Sequence, residues 1–289
     1  MKVVPDDSTR LIALKRGEVD FAYSVRGELA AEVKRSKDLK RELAPDGATC
    51  WMCSPEQWDP KSPWSNPKVR RAASLAIDYK AINEALNLGY SRITSNIVPR
   101  HLPFHTKTPT PVLDSKQAMA LLAQASPFGG FDAGFYWVDS SWTNLGEAAI
   151  NYLAAVDIRL KMRPLERVAF NKGFEEKRCK KGVIQAGSAA FGNAATRIAL
   201  WALADGLYAY GAYPEIDALF AGQSRELDVE KRGAIPRDIQ VFMQAKDMFV
   251  PLSQLGFPCA SGPCVADSTC GRIPGFVSIG PFEDIALNG

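Results

Sequence analysis

Residues 66–83 read NPKVRRAASLAIDYKAIN, the stretch from which the rest of the chain is most easily read. Asn66 can accept hydrogen bonds from the first free N–H groups of a helix. Pro67, at the first helical position, has no N–H to leave unpaired. Val69, Ala72, Ala73, Ala76 and Ile77 then recur at the three-and-four spacing that buries one helix face. That accounts for a helix. The two arginines in its first turns, Arg70 and Arg71, belong to whatever the helix is part of.

Working outward, Asp6, Asp7 and Ser8 cap a short helix over Thr9 to Arg16. Gly17 ends it, and Val19 to Tyr23 alternate like a strand. Val3 and Val4 suggest a further strand. Helices are expected over Glu28–Lys37, Ser115–Ala125, Asn144–Val156, Arg167–Lys177 and Asp228–Ala245, the last containing Pro236. Strands are expected within 47–59 and over Phe131–Val138, Ile158–Met162 and Val183–Ala186. Thr94 to Pro111 holds four prolines and reads as a long surface loop. Beyond Leu252 the chain turns to Gly, Pro, Cys and Ser and reads as irregular. Strands alternating with helices at this spacing predict an α/β sheet.

The 289 residues suffice for one large domain or two ordinary ones. With 35 basic and 32 acidic residues the net charge is +3, and no concentrated basic face marks a nucleic-acid binder. The short run Lys177 to Lys181 reads as a solvated helix end. No stretch approaches the roughly 18 apolar residues of a membrane span. The N-terminus lacks the apolar run of an export leader, so the chain as written is expected to stay in the cytoplasm.

Cys50-Trp51-Met52-Cys53 falls on an expected strand, where residues three apart point to opposite faces, a poor geometry for redox or zinc chemistry. Cys259, Cys264 and Cys270 have no second C-x-x-C spacing, and no metal site is expected. His101 and His105 lie between prolines and read as loop residues. Ser65-Asn66-Pro67-Lys68 matches S-x-x-K without its companion motifs, and the segment around Ser188 fails the G-x-S-x-G spacing. No phosphate-binding glycine motif occurs. Many Trp and Tyr residues between Trp51 and Tyr213 lie near turns or strand ends, as in the aromatic walls of ligand clefts.

The order of segments resembles a known family. Val4-Pro5-Asp6-Asp7-Ser8-Thr9-Arg10-Leu11 through Gly17-Glu18-Val19-Asp20 is similar to the PD-x-S-T-R-L…G-E-x-D segment of extracellular solute-binding proteins of the peptide/nickel class, family 5. The stretch from Asn66 to Asn83 resembles that family's D-x-R-V-R-x-A…A-I-D…I-N helix. Gly89-Tyr90, Ile97-Val98-Pro99, the helix from Ser115 with Gly130-Phe131-Asp132 after it, Tyr213 to Leu219 and the helix from Asp228 follow in family order.

The resemblance implies a periplasmic-binding-protein type II fold, a mixed sheet flanked by helices, and non-covalent capture of a small organic solute for an ABC permease and ATPase. It implies a periplasmic or extracellular location, no cofactor and no catalysis. It further implies that residues 1–24 are a remnant of a first lobe, 25–250 a second, ligand-binding lobe, and 251–289 a return segment. On this reading the chain is an N-terminally truncated member. The expected ligand contacts are Trp51, Tyr136, Asn193, Arg197 and Trp201. The family's D-x-x-D-P acid, which pairs with a peptide's amino terminus, is missing from Gly187 to Arg197, which makes ordinary peptides a poorer fit. Arg197 could instead face a carboxylate or phosphate. Two other readings stand beside this one. One is a promiscuous serine hydrolase using Ser65 with Lys68, or Ser188. The other is a non-functional truncation fragment whose exposed first-lobe-facing surface would drive dimerisation.

Overall fold

The computed structural model describes residues 2–4, 6–25, 27–125, 130–189, 192–273 and 280–288, with only the backbone described at 43–47, 188–189 and 257. In chain order the elements are α1 (Asp7–Lys15), β1 (Phe21–Ala22), α2 (Glu28–Arg35), β2 (Lys40–Cys53), α3 (Pro67–Ala76), α4 (Tyr79–Asn87) and α5 (Ser115–Ala125). Then follow β3 (Phe131–Asp139), α6 (Thr143–Ala154), β4 (Ile158–Leu165), α7 (Arg167–Glu175), β5 (Gly182–Ala189) and α8 (Ala194–Trp201). The remaining elements are α9 (Pro214–Gln223), α10 (Val229–Ala245), β6 (Val250–Ser261), β7 (Val265–Asp267) and β8 (Ala286–Leu287). Six strands form one mixed sheet in the order β1-β6-β2-β5-β3-β4, and β7 pairs with β8. β3 runs parallel to both β4 and β5, whereas β2 is antiparallel to β5 and β6.

The alternation of β2 builds a core on each face of the sheet. Cys50 and Met52 enter one core with buried residues of α3, α4, α5 and α6. Trp51 enters the other, with residues of α7, α8, α9 and α10. Cys53 packs against the core that holds Trp51, so the C-x-x-C is split across the sheet as its strand setting requires. A third, smaller cluster joins Leu11 and Leu14 of α1 with Val25, Leu29 and Val33.

The helices start as their capping residues dictate. Asn66 Oδ1 accepts the Lys68 N–H at 2.9 Å ahead of α3. Arg70 is 3% exposed, and its guanidinium donates to the carbonyls of Trp64, Ser65, Lys246 and Asp247 and to the Tyr213 hydroxyl. Arg71 pairs with Asp247 at 3.6 Å. The two arginines thus tie the start of α3 to the end of α10.

The proline-rich 94–111 segment has no regular element and is held by side chains. Gln240 of α10, itself buried, accepts from Asn96 Nδ2 at 2.9 Å and the Thr106 N–H at 3.2 Å, and donates to the Phe104 carbonyl at 2.8 Å. Helix α10 continues through Pro236, as expected.

Two expectations are corrected. Residues 2–4 form no strand. The segment after Leu252 is not irregular, because β6 continues to Ser261 and pairs with β2 along most of its length. Its prolines hid the strand. Pro251 sits beside a register shift between Cys50 and Trp51, and Pro258 lies just past the two-residue β1, where its carbonyl accepts the Val25 N–H. A strand tolerates proline at such places because no ladder N–H is needed there.

Candidate functional site

Ligands of open α/β sheets bind beyond the carboxyl ends of the parallel strands. β3 ends here in Val138-Asp139 and turns through a short 3₁₀ segment, Ser140–Trp142, into α6. The turn is pinned from three sides. Asp139 Oδ1 accepts the Ser141 N–H at 2.9 Å, and Arg167 Nε donates to Asp139 Oδ2 at 2.9 Å. From below, the Tyr136 hydroxyl donates to Gln185 Oε1 at 2.7 Å, and Gln185 Nε2 donates to the Trp142 carbonyl at 3.4 Å.

Beside this turn opens a groove of about 350 Å³. Ser141, Trp142, Asn144 and Leu145 form one wall. Leu86, Asn87 and Tyr90 at the end of α4 form another. Helix α4 stops there because Leu88 and Gly89 adopt left-handed backbone, at φ 49° and 74°. Tyr90 is fixed by Arg41, whose Nη1 donates to its hydroxyl at 2.6 Å and whose guanidinium lies 4.6 Å from the ring centre. Leu255, Gly256 and Pro258 of β6 also line it, beside the place where the β2–β6 register shifts between Ala44 and Ala48. Asp7 and Gly27 close the side nearest α1. Asp7 is ion-paired with Arg10, which also donates to the Ser24 carbonyl at 2.9 Å.

Among the described residues the lining is leucines and uncharged hydrogen-bonding groups around one indole, with a single paired carboxylate. It suits a polar organic molecule held by several weak bonds and a ring contact. Among the described residues it offers no activated nucleophile.

The expected ligand residues fall elsewhere. Trp51, Arg197 and Trp201 come together in one core. The two indoles meet edge to face at 4.7 Å, and the Arg197 guanidinium lies 5.2 Å from the Trp51 ring centre. Trp51 is fully buried and Trp201 is 5% exposed. Burial lowers the Arg197 pKa to about 10. Asn193 caps α8, accepting the Ala195 N–H at 2.9 Å. Tyr136 is fully buried on the opposite face of the sheet, beneath the groove, and burial pushes its phenol well above the ordinary range. None of the five lines the groove.

The Ser65 hydroxyl donates to the Ser62 carbonyl at 2.8 Å, and Lys68 Nζ donates to Gln124 at 3.0 Å, so the two groups serve other partners. The Ser188 side chain lies outside the described residues. Among the described residues no cluster of His, Cys, Asp and Glu could hold a metal ion, and no helix is long and apolar enough to cross a membrane. The groove residues Ser141, Asn144 and Asn87 were not singled out by sequence. Their only signal was position at strand and helix ends.

Comparison with known proteins agrees with this architecture. The family model described as "Bacterial extracellular solute-binding proteins, family 5 Middle" matches residues 1–199. The glutathione-binding protein GsiB of Salmonella typhimurium is 28% identical over 128 residues, which is 44% of this chain and 24% of that protein. A putative peptide binding protein, AppA from Clostridium difficile, superposes with a TM-score of 0.85 at 17% identity, over 100% of this chain and 60% of its own. The periplasmic binding protein DppA from Helicobacter pylori, in complex with the peptide STSA, gives a TM-score of 0.82 at 20% identity over 99% of this chain and 56% of its own. The chain thus spans about a quarter of the curated relative over the matched stretch and under two thirds of each solved structure. The fold is the α/β mixed sheet of type II periplasmic binding proteins. With more than half of its residues matched by the family model, the chain belongs to the bacterial extracellular solute-binding proteins of family 5.

Proposed function

We propose that the groove beside the β3–α6 turn captures a small polar organic solute, of the size of a short peptide or amino-acid derivative, outside the cytoplasmic membrane for delivery to an ABC permease and its ATPase. The observation that carries this reading is the groove itself. Trp142, Asn144, Asn87 and Tyr90 converge on a 350 Å³ space at the carboxyl end of β3. That volume is at the lower end of ordinary ligand sites. The glutathione named for one relative and the peptide in one similar structure support a peptide-like solute.

The test is a calorimetric and thermal-shift screen of the purified chain against glutathione, tri- and tetrapeptides, amino-acid derivatives and sugar acids. A solute at one hundred times its dissociation constant stabilises the fold by about 2.7 kcal/mol. Saturable binding that Trp142→Ala and Asn144→Ala both weaken supports the groove. Binding that neither substitution changes places the site elsewhere, and a cooperative melt that no solute moves rejects capture by this chain.

A further inference from the structure

Six cysteines are spread over the chain, and the structure sorts them. Cys50, Cys53 and Cys179 lie in or against the two main cores, where burial pushes their thiols up to about 12, about 12 and about 11. Cys264 is exposed on the turn between β6 and β7. Cys259 and Cys270 differ from all of these. Cys259, 1% exposed, stands opposite Glu42 in the β2–β6 ladder, and the half-buried Cys270 thiol lies with its Sγ 3.6 Å from Cys259 Sγ.

We infer that Cys259 and Cys270 are a disulfide-forming pair, cross-linking the end of β6 to the turn that follows β7 when the chain meets a disulfide oxidant. The turn is already built to hold the thiols together. Asp267 Oδ1 accepts the Thr269 N–H at 2.8 Å, and its other oxygen pairs with Arg272. Ser268 Oγ accepts the Cys270 N–H at 3.3 Å while donating to the Glu42 carboxylate, which also accepts from Ser261 at 2.6 Å. Thr269, at φ 56°, donates its hydroxyl to the Pro281 carbonyl at 3.1 Å. The contact needs to close by only about 1.5 Å to reach the roughly 2.05 Å of an S–S bond.

The chemistry proceeds in two exchanges. Cys270, the more accessible thiol, loses its proton and attacks one sulfur of a small-molecule disulfide, forming a mixed disulfide and releasing one thiolate. Cys259 then loses its proton and attacks Cys270 Sγ, releasing the second thiol. Two protein thiols are oxidised by two electrons and one oxidant disulfide is reduced to two thiols. The Cys259 contact, burial and the nearby Glu42 charge hold the Cys270 thiol above its ordinary range, so exchange is slow at neutral pH and accelerates as pH rises.

The experiment incubates the purified full chain in a 2-hydroxyethyl disulfide and 2-mercaptoethanol buffer, quenches it in denaturant with an alkylating agent, and counts modified thiols by intact mass. The expected product has four alkylated cysteines and two in a cross-link. Cleavage before Asp267 leaves the two halves linked until reduced. Cys264→Ser keeps the cross-link, and both Cys259→Ser and Cys270→Ser abolish it while the melt stays cooperative. Because Cys270 is half-buried, its variant serves if Cys259→Ser fails to fold. A cross-link that survives Cys270→Ser, one that requires Cys264, or six alkylated thiols in the oxidising buffer would overturn the inference.

Discussion

The Arg70 guanidinium donates to the Lys246 carbonyl through both Nε and Nη2, at 3.2 and 2.8 Å. This contact joins two helices separated by most of the chain, and it sits on a side chain that is almost wholly buried. A buried cation is tolerated only when its donors are met, and here backbone oxygens and one phenol meet them. Arg70→Leu removes the charge and leaves those buried carbonyls without their donor. The expected loss is about 3 kcal/mol in urea unfolding. A loss under about 1 kcal/mol would mean that the tether carries little.

Tyr136 supports the groove from beneath through Gln185. Tyr136→Phe keeps the ring but leaves Gln185 Oε1 without its donor, at an expected cost of about 1–2 kcal/mol. Gln185 then loses its fixed orientation toward the Trp142 carbonyl, so solute affinity should fall together with stability. Unfolding and titration on the same variant check this, and unchanged affinity would separate Gln185 from the groove.

Trp142 and Trp201 should behave differently. Trp142 is partly buried at the groove wall, and Trp142→Ala is expected to reduce solute affinity about tenfold or more, the scale of a lost ring contact of roughly 1.4 kcal/mol. Trp201 packs against Trp51, Phe174 and Tyr208, and Trp201→Ala is expected to cost about 3–5 kcal/mol of stability. The opposite pattern, in which Trp201→Ala folds normally and loses only binding, would return the site to the Trp51–Arg197 cluster.

His105 gives a pH dependence whose sign is determined. Burial, then the charge of Arg100, then His101 hold its folded pKa below the ordinary 6.5. Above 6.5 both folded and unfolded chains keep the imidazole neutral and stability is fully present. As pH falls from 6.5 toward the folded value, the unfolded chain takes up a proton that the folded chain resists, and stability is lost. His105→Gln should flatten that decline between pH 7.5 and 5.5 in urea titrations, and a variant as steep as the parent would place the effect on other groups.

Much of the fold was legible because local patterns and tertiary structure agree. The Asn66-Pro67 start of α3, the Ser115–Ala125 limits of α5 and the strand expected over Phe131–Val138, which runs one residue further to Asp139, follow from capping and periodicity. β6 was not legible, since its prolines mimic a loop and are tolerated only where the neighbouring strand needs no N–H. The aromatic set drew attention to Trp51, Tyr136 and Trp201, yet a large ring beside a turn reads the same whether it lines a cleft or fills a core. Burial separates the two, and burial is a property of the packed chain.

By itself the sequence determined many of the helices and the central strands, the family and the scattering of charge, because these reside in local spacing and side-chain type. Only the tertiary structure decided that Arg70 ties α3 to the end of α10 and that Cys259 meets Cys270. It also decided that Trp142 and Asn144, rather than Trp51 and Arg197, stand beside open space. Each of these depends on which distant segments the fold brings together, and that is set by strand register and packing and not by neighbours along the chain.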